Sequence, residues 1–225
     1  MNHHHLIALT GPAGSGKDTV ALLLVTHLGF RTMAFAEKLK NEVSDAFQVE
    51  PLYFSRRETK EHPLSALALR KCLDRGFIGW LIITHGERGQ HKVDLDAPRS
   101  PRQIMQLWGD YRRDQDLDYF VKPVSARISY LLSEGLEQRI VITDLRCNNE
   151  AEAIRQTHNG RIWQITRPGV EVAPGAHASE VSGARFEPDA VIDNSGDLRH
   201  LQQQVLAAHW AFEAGLPGLT VAVAA

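Results

Sequence analysis

Cysteine and long apolar runs are both scarce in this chain of 225 residues. Its two cysteines, Cys72 and Cys147, form no Cys-x-x-Cys pair, and the first residues show no signal-peptide pattern. We therefore expect reduced thiols and a cytoplasmic protein. No apolar run reaches the roughly 20 residues that a membrane-spanning helix needs, so we expect no membrane partner.

An excess of charge of either sign is also lacking. The 25 lysines and arginines and the 27 aspartates and glutamates are interspersed, and the formal net charge is −2. This balance argues against a broad surface for nucleic acid or anionic membranes. The consecutive histidines His3, His4 and His5 lie at a chain terminus, so we do not expect a metal site there.

The most informative stretch that is present runs from Leu6 to Thr19. Its apolar first residues predict a short buried strand, its three glycines predict a turn, and Lys17 opens a segment with helical patterning. Backbone N–H groups converge in such a turn, and the N-terminus of the helix adds unpaired donors and partial positive charge. The spacing Gly11-x-x-x-x-Gly16-Lys17 matches the P-loop pattern, which binds the phosphates of a nucleotide.

One position departs from that pattern. Asp18 stands where the pattern has Ser or Thr, and the hydroxyl group follows at Thr19. A carboxylate about 4 Å from a phosphate would cost roughly 4 kcal/mol at an effective dielectric constant near 20. Asp18 therefore either points away, meets the phosphates through Mg²⁺ or water, or complements the helix N-terminus.

The rest of the chain alternates strand and helix patterns, which predicts one α/β domain with insertions. A strand is predicted at 31–35, a helix after it, a helical run at 64–73, and an inserted hairpin or a flap within 76–99.

Two helices are predicted after this region. Ser100, Pro101 and Gln103 predict the capped start of the first. If this helix continues past Gly109, Arg112 and Arg113 point in different directions and cannot grip one phosphate. Pro123 predicts a kink or a late start in the next helix.

A second buried strand, Ile140–Thr143, is followed directly by Asp144 and Arg146. Ligands of open parallel sheets lie beyond the carboxyl ends of the strands, so both side chains should emerge beside the phosphate loop. The alternative is that Asp144 caps the next helix. Further strands are predicted at 162–166 and, as the last one, at 190–192, with a closing helix at 198–214. The long loop between these strands predicts an active-site lid.

Several motifs in this order resemble the deoxynucleoside monophosphate kinase family of bacteriophages and some bacteria. They are Gly16-Lys17-Asp18-Thr19, Phe35-Ala36-Glu37-Lys38-Leu39-Lys40, the stretch from Arg102 to Arg113, Asp118-Tyr119-Phe120-Val121, the stretch from Ile142 to Glu150, and His177-Ala178-Ser179-Glu180. The resemblance implies a three-layer P-loop kinase with a parallel sheet and helices on both faces. It further implies a single domain over 1–225, with a helical acceptor-binding insertion at 36–135, a lid at 167–188 and a tail at 216–225.

The same resemblance implies transfer of the ATP γ-phosphoryl group to a deoxynucleoside 5′-monophosphate, giving a diphosphate and ADP, with Mg²⁺. Lys17, Asp144 and Arg146 would be catalytic. Predicted ATP-binding residues are Gly11, Ala13, Gly14, Ser15, Gly16, Lys17, Asp18, Thr19, Asn194 and Ser195. Predicted acceptor-binding residues are Lys38, Trp108, Arg112, Arg113 and Arg146. Predicted lid residues are Arg167, His177 and Arg185, and predicted metal-binding residues are Asp18, Thr19 and Asp144.

Two alternatives remain at this point. One is a P-loop kinase for another phosphorylated small molecule, such as phosphomevalonate or dephospho-coenzyme A. The other is a nucleotide-binding switch without an acceptor. The expected partners are ATP and a deoxynucleotide, without nucleic acid or membrane, and a homodimer is left open.

Overall fold

A computed structural model describes residues 5–56, 58–86, 93–171 and 187–215, and the backbone of 219–220. Its α-helices are α1 (Lys17–Leu28), α2 (Ala36–Phe47), α3 (Arg75–Leu81), α4 (Pro101–Gln115), α5 (Val121–Ser133), α6 (Asn148–Glu152) and α7 (Leu198–Glu213). Its strands are β1 (His5–Thr10), β2 (Arg31–Met33), β3 (Arg139–Ile142), β4 (Arg161–Thr166), β5 (Ala190–Asp193) and β6 (Leu219–Thr220). The chain divides into two compact units, one within Met1–Phe35 and Val121–Ala225 and the other comprising Ala36–Phe120.

The first unit contains a parallel sheet with the strand order β2-β3-β1-β4-β5-β6. Strand β1 is central, with Ile7 level with Val141 of β3 and with Arg161 of β4. Because both faces of a central parallel strand are covered, its sequence is continuously apolar rather than alternating. The α/β prediction with a parallel sheet is therefore confirmed, and β6 adds a short strand after the one predicted to be last.

Helices cover both faces of this sheet. On one face, Ile7 and Leu9 pack in a core with Leu24 of α1 and Val205 of α7. On the other face, Leu6 and Ala8 pack in a core that contains Val124, Ile128 and Leu131 of α5. The alternation of β1 side chains between the two faces thus produces three layers. Helix α5 belongs to this unit, whereas the predicted insertion at 36–135 included it.

The second unit has a core of its own, which includes Val43 of α2 together with Phe77 of α3 and Trp108 of α4. Helix α4 starts as predicted: Ser100 Oγ accepts a hydrogen bond from the Gln103 N–H at 3.2 Å, and Gln103 Oε1 accepts one from the Ser100 N–H at 2.9 Å. This helix continues through Gln115. Because the helix continues past Gly109, the side chains of Arg112 and Arg113 leave it in different directions.

Two sequence predictions in this unit were wrong. The stretch 64–73 forms two 3₁₀ turns, Ser65–Leu67 and Leu69–Lys71, because backbone N–H groups bond outside the segment: Arg70 N–H donates to Leu95 O and Leu73 N–H to Ala46 O. The inserted hairpin predicted within 76–99 is replaced at its start by α3, whereas the alternative of a flap stays a prediction. Asp74 caps α3 by accepting a hydrogen bond from the Phe77 N–H at 2.9 Å.

Helix α5 has the late start that Pro123 predicted. It begins at Val121, so Pro123 lies in the first turn, where its missing N–H would have no intrahelical partner. Across the described part of the chain, no helix is both long and apolar enough to cross a membrane.

Candidate active site

The phosphate loop joins the carboxyl end of β1 to the first residue of α1, as predicted. Three of its glycines have positive φ angles: 140° at Gly11, 87° at Gly14 and 106° at Gly16. A side chain at the first or last of these glycines would be strained by the positive φ and would also meet a neighbouring atom. A Cβ atom on Gly11 would lie 2.4 Å from Ile165 O. A Cβ atom on Gly16 would lie 2.3 Å from Asn194 Nδ2. The glycines are therefore required by this loop conformation.

Lys17 is the first residue of α1, and its ammonium group folds back over the loop. Its Nζ donates hydrogen bonds to the carbonyl oxygens of Gly11 at 2.7 Å and Pro12 at 2.8 Å. The side chain thus stands at the helix N-terminus, where unpaired backbone donors favour an anion. A phosphate at this position would meet both the backbone N–H groups and the ammonium group.

The other predicted residues of the loop differ in exposure. Ser15 is fully buried and its Oγ has no hydrogen-bond partner among the described residues, whereas Ala13 is exposed. Asp18 is exposed and Thr19 is half-buried, both in the first turn of α1. The hydroxyl of Thr19 and the carboxylate of Asp18 are oxygen ligands of the kind that Mg²⁺ prefers.

Asp144 follows β3, the direct neighbour of β1, so it emerges at the same edge of the sheet as the phosphate loop. Its Oδ1 accepts a hydrogen bond from the Phe35 N–H at 2.9 Å. The residue that caps α6 is Cys147, and Glu150 accepts hydrogen bonds from the N–H groups of Arg146 and Cys147. The alternative role of Asp144 as the cap of this helix is therefore wrong. Arg146 is exposed.

Asn194 and Ser195 follow β5 and were predicted to line the adenine. Asn194 Nδ2 donates to the Ser15 carbonyl oxygen at 2.9 Å, and the Asn194 N–H donates to Thr166 O at 2.8 Å. Ser195 Oγ donates to Asp193 Oδ2 at 2.5 Å. Asn194 thus supports the backbone of the phosphate loop, a contact that the sequence did not reveal, and the adenine role stays a prediction.

In the second unit, a carboxylate that the sequence analysis did not single out brings predicted residues together. Glu42 accepts hydrogen bonds from Trp108 Nε1 at 2.8 Å, Arg112 Nε at 3.0 Å and the Tyr119 hydroxyl at 2.5 Å. Lys38 Nζ lies 3.8 Å from Glu42 Oε1 and 3.8 Å from the centre of the Tyr119 ring. We call these five residues the Glu42 cluster.

Electrostatics inside the Glu42 cluster follow from partial burial. Burial and the hydrogen bond to Glu42 raise the pKa of Tyr119 to about 12, so its hydroxyl remains a donor at neutral pH. Burial would lower the pKa of Arg112, but the Glu42 carboxylate more than offsets this and raises it. Arg112 also lies over the rings of Trp108 and Tyr111, at 5.0 and 4.9 Å from their centres.

Trp108 belongs to the Glu42 cluster but lies in the core, with 1% of its surface exposed, as its position on the apolar face of α4 indicated. The remaining predicted residues are not part of the cluster. The Arg113 guanidinium lies over the Phe120 ring, 5.2 Å from its centre. Arg167 is exposed at the end of β4. His177 and Arg185 lie outside the described residues.

Sequence comparisons give two relatives. A protein of Acanthamoeba polyphaga mimivirus, named as a proposed deoxynucleotide monophosphate kinase, is 27% identical over 214 residues, which cover 90% of this chain and 94% of that protein. A cytidylate kinase of Natronomonas pharaonis is 30% identical over 108 residues, which cover 43% of this chain and 54% of the relative. None of the family models searched matches the chain.

Among solved structures, dephospho-CoA kinase from Campylobacter jejuni is similar over 92% of this chain and 96% of its own. The TM-score is 0.44 and the sequence identity is 14%. A likeness of this extent carries no functional conclusion.

Proposed function

We propose that this protein is a phosphotransferase that moves the γ-phosphoryl group of ATP to a deoxynucleoside 5′-monophosphate. The observation that carries the proposal is the loop between β1 and α1, where glycines with positive φ precede a lysine at a helix N-terminus. A relative aligned over 90% of the chain is named as a proposed kinase of this kind, and a second is named as a cytidylate kinase. Both names support a nucleotide as the acceptor.

Phosphoryl transfer requires positioning and positive charge more than covalent chemistry, because the transition state spreads negative charge over three oxygens. Lys17 would exchange its bonds to Gly11 and Pro12 for bonds to the β- and γ-phosphates of ATP. The N–H groups of the loop and of the first turn of α1 would bind the other phosphate oxygens. Arg146, exposed beyond β3, would neutralise charge on the transferred group.

Mg²⁺ supplies charge neutralisation and orientation of the ATP phosphates when it is bound. The oxygen groups of Thr19, Asp18 and Asp144 fit its preference for hard ligands. One oxygen of Asp144 accepts the Phe35 N–H, and its carboxylate charge would act on the metal. These are proposed roles for residues at the carboxyl edge of the sheet.

The Glu42 cluster would provide the acceptor-binding residues of the second unit. Lys38 and Arg112 are cations held by one carboxylate, and a guanidinium can bind a phosphate through two parallel hydrogen bonds. Half-buried Tyr119 offers a flat surface on which a base could stack. Arg113 and Arg167 are further candidates, together with His177 and Arg185 outside the described residues.

The deciding experiment measures ADP formation from ATP and Mg²⁺ with each of the four dNMPs and the four NMPs. Stimulation by at least one dNMP is expected, with dCMP and CMP of special interest because of the cytidylate kinase relative. Phosphomevalonate and dephospho-coenzyme A serve as rival acceptors in the same assay. Turnover with one of these and not with any nucleotide would replace the proposed substrate, and slow hydrolysis without acceptor dependence would indicate a switch.

A further inference from the structure

A cluster of metal-ligand residues lies at the edge of the sheet opposite the phosphate loop. His5 is the first residue of β1, and His209 and Glu213 are one turn apart near the end of α7. One candidate ligand atom from each of the three residues lies within 4.8 Å of the others. Because β1 rises about 3.3 Å per residue between His5 and Thr10, the cluster lies roughly 15 to 20 Å from the loop.

The distances approach those of a bound metal ion. His209 Nε2 lies 3.1 Å from Glu213 Oε1, and His5 Nε2 lies 4.0 Å from the same oxygen. Around a tetrahedral zinc ion with bonds of about 2.0–2.1 Å, neighbouring ligand atoms are about 3.3–3.5 Å apart. The two measured distances fall on either side of this value, so a small rotation of His5 would complete the arrangement.

The burial of His209 supports a ligand role. The residue is 1% exposed, and its Nδ1 atom is buried without a hydrogen-bond partner among the described residues. The ring nitrogen that faces the other two residues is Nε2, which lies 3.1 Å from Glu213 Oε1, so coordination would go through Nε2. Packing against Phe30 fixes the orientation of the buried ring, so that Nε2 is held toward the other two residues.

The Glu213 carboxylate is held in place by a neighbouring hydrogen-bond donor. The Arg139 Nη2 atom lies 3.4 Å from Glu213 Oε1, while its Nη1 donates to Leu28 O at 2.8 Å. This contact, on the same oxygen that faces the two histidines, holds the Glu213 carboxylate in place.

We propose that His5, His209 and Glu213 bind a divalent transition-metal ion, with Zn²⁺ as the preferred ion. Two imidazoles and one carboxylate match zinc ligand chemistry, whereas Mg²⁺ prefers oxygen ligands and waters. The ion would tie the start of β1 to the last turn of α7, which belongs to the layer on one face of the sheet. This site is structural and independent of phosphoryl transfer. It also revises the expectation that His5 belongs to a terminal tract without a metal site.

The test uses the full chain with His3→Ala and His4→Ala as the background, because these neighbouring histidines would bind zinc themselves. Zn²⁺ is titrated against a competing chelator, thermal unfolding is followed with Zn²⁺ and with Mg²⁺, and Co²⁺ absorption reports the coordination geometry. We expect one Zn²⁺ per chain, a rise in Tm with Zn²⁺ that Mg²⁺ does not produce, and a tetrahedral Co²⁺ spectrum.

Variants of the ligands decide the assignment. Glu213→Gln removes the carboxylate charge and His5→Ala removes one imidazole, and each should weaken Zn²⁺ binding about tenfold or more. His209→Gln removes the buried ligand and is included with a check of folding by circular dichroism. His27→Ala and His62→Ala change exposed histidines outside the cluster and should leave the affinity unchanged. Zn²⁺ affinity that survives Glu213→Gln and His5→Ala, or the lack of any binding in the background chain, overturns the proposal.

Discussion

The carboxylate of Glu42 receives the indole N–H of Trp108 at 2.8 Å and the Arg112 Nε–H at 3.0 Å on the same oxygen. The Trp108 side chain is buried, while 20% of the Arg112 side chain is exposed. A single acceptor thus joins a core residue of α4 to a cation that could meet a phosphate. We therefore propose Glu42 as a positioning residue for the acceptor site.

Replacing Glu42 with alanine should raise the acceptor KM about tenfold or more while changing the ATP KM little. The donors of Trp108, Arg112 and Tyr119 would lose their shared acceptor, which should also lower the free energy of unfolding by about 2 kcal/mol. Glu42→Gln retains one acceptor oxygen and should fall between the alanine variant and the wild type. Steady-state kinetics with both substrates varied and urea denaturation measure these effects.

An exposed ion pair of the same unit provides the control for Glu42. Arg70 Nε lies 2.5 Å from Asp96 Oδ1, and both side chains are about two-thirds exposed, at 65% and 66%. Asp96→Ala should leave both KM values and the stability unchanged, because exposed pairs contribute little. If Glu42→Ala resembled Asp96→Ala, the positioning role would be lost.

Gly11→Ala should disrupt nucleotide binding far more than Gly29→Ala. Both glycines have positive φ, 140° and 70°, but a Cβ atom on Gly11 would meet the Ile165 carbonyl oxygen at 2.4 Å, whereas nothing lies within 4 Å of one on Gly29. Gly29→Ala should cost about 1 kcal/mol of stability from backbone strain alone and leave the ATP Kd unchanged. Calorimetric ATP titration of both variants makes the comparison, and equal Kd values would show that the loop tolerates a side chain.

Local sequence patterns were sufficient to predict several elements of the fold. The capped start of α4 was predictable because Ser100 and Gln103 are three residues apart and bond each other. Asp144 was placed at the edge of the sheet because parallel strands end together. In contrast, 64–73 has helical patterning but forms 3₁₀ turns, since Leu73 bonds to Ala46 and Arg70 to Leu95. Such long-range backbone bonds have no local pattern.

The candidate site shows the same division. The phosphate loop lies within one continuous stretch, so its glycines and Lys17 were visible together. The Glu42 cluster joins residues 66, 70 and 77 positions apart, and a glutamate at the middle of α2 resembles an ordinary surface residue in the sequence. Asn194 bonds to Ser15 across 179 positions. Only the folded chain brings these groups together.

Asp144→Asn and Asp144→Ala should separate the structural role of this residue from its proposed charge. The asparagine retains an oxygen that can accept the Phe35 N–H. Alanine removes this acceptor, which should lower the free energy of unfolding by about 1 kcal/mol. Both variants should lower kcat and weaken the Mg²⁺ dependence, but only alanine should lower Tm. Wild-type turnover by Asp144→Asn would confine the residue to its bond with Phe35.

The Cys72 thiol should resist alkylation in the native protein, and its burial should make stability fall at high pH. Burial raises the pKa of Cys72 to about 11. Because the unfolded thiol ionises at lower pH, near 9.0, this contribution to stability is complete below pH 9 and is lost as pH rises through 11. Cys72→Ser should show less of this loss.

The same burial should protect the Cys72 thiol from alkylation. Mass spectrometry after N-ethylmaleimide treatment at pH 8 should find label on half-buried Cys147 before Cys72, and the reverse order would contradict the burial argument.

Lys17→Ala should abolish phosphoryl transfer while the fold remains intact. In the structure the ammonium group donates hydrogen bonds to the backbone oxygens of Gly11 and Pro12, and a cation at a helix N-terminus opposes the helix dipole. Its removal should therefore change the free energy of unfolding by no more than about 1 kcal/mol. In the reaction the same group would meet negative charge that grows on the transferred phosphoryl group, so kcat should fall by about 10²-fold or more.

Exposed Lys71 provides the matched control for Lys17, since Lys71→Ala removes the same charge from the second unit. Thermal unfolding and single-turnover assays on both variants separate the effects, and wild-type turnover by Lys17→Ala would remove Lys17 from catalysis.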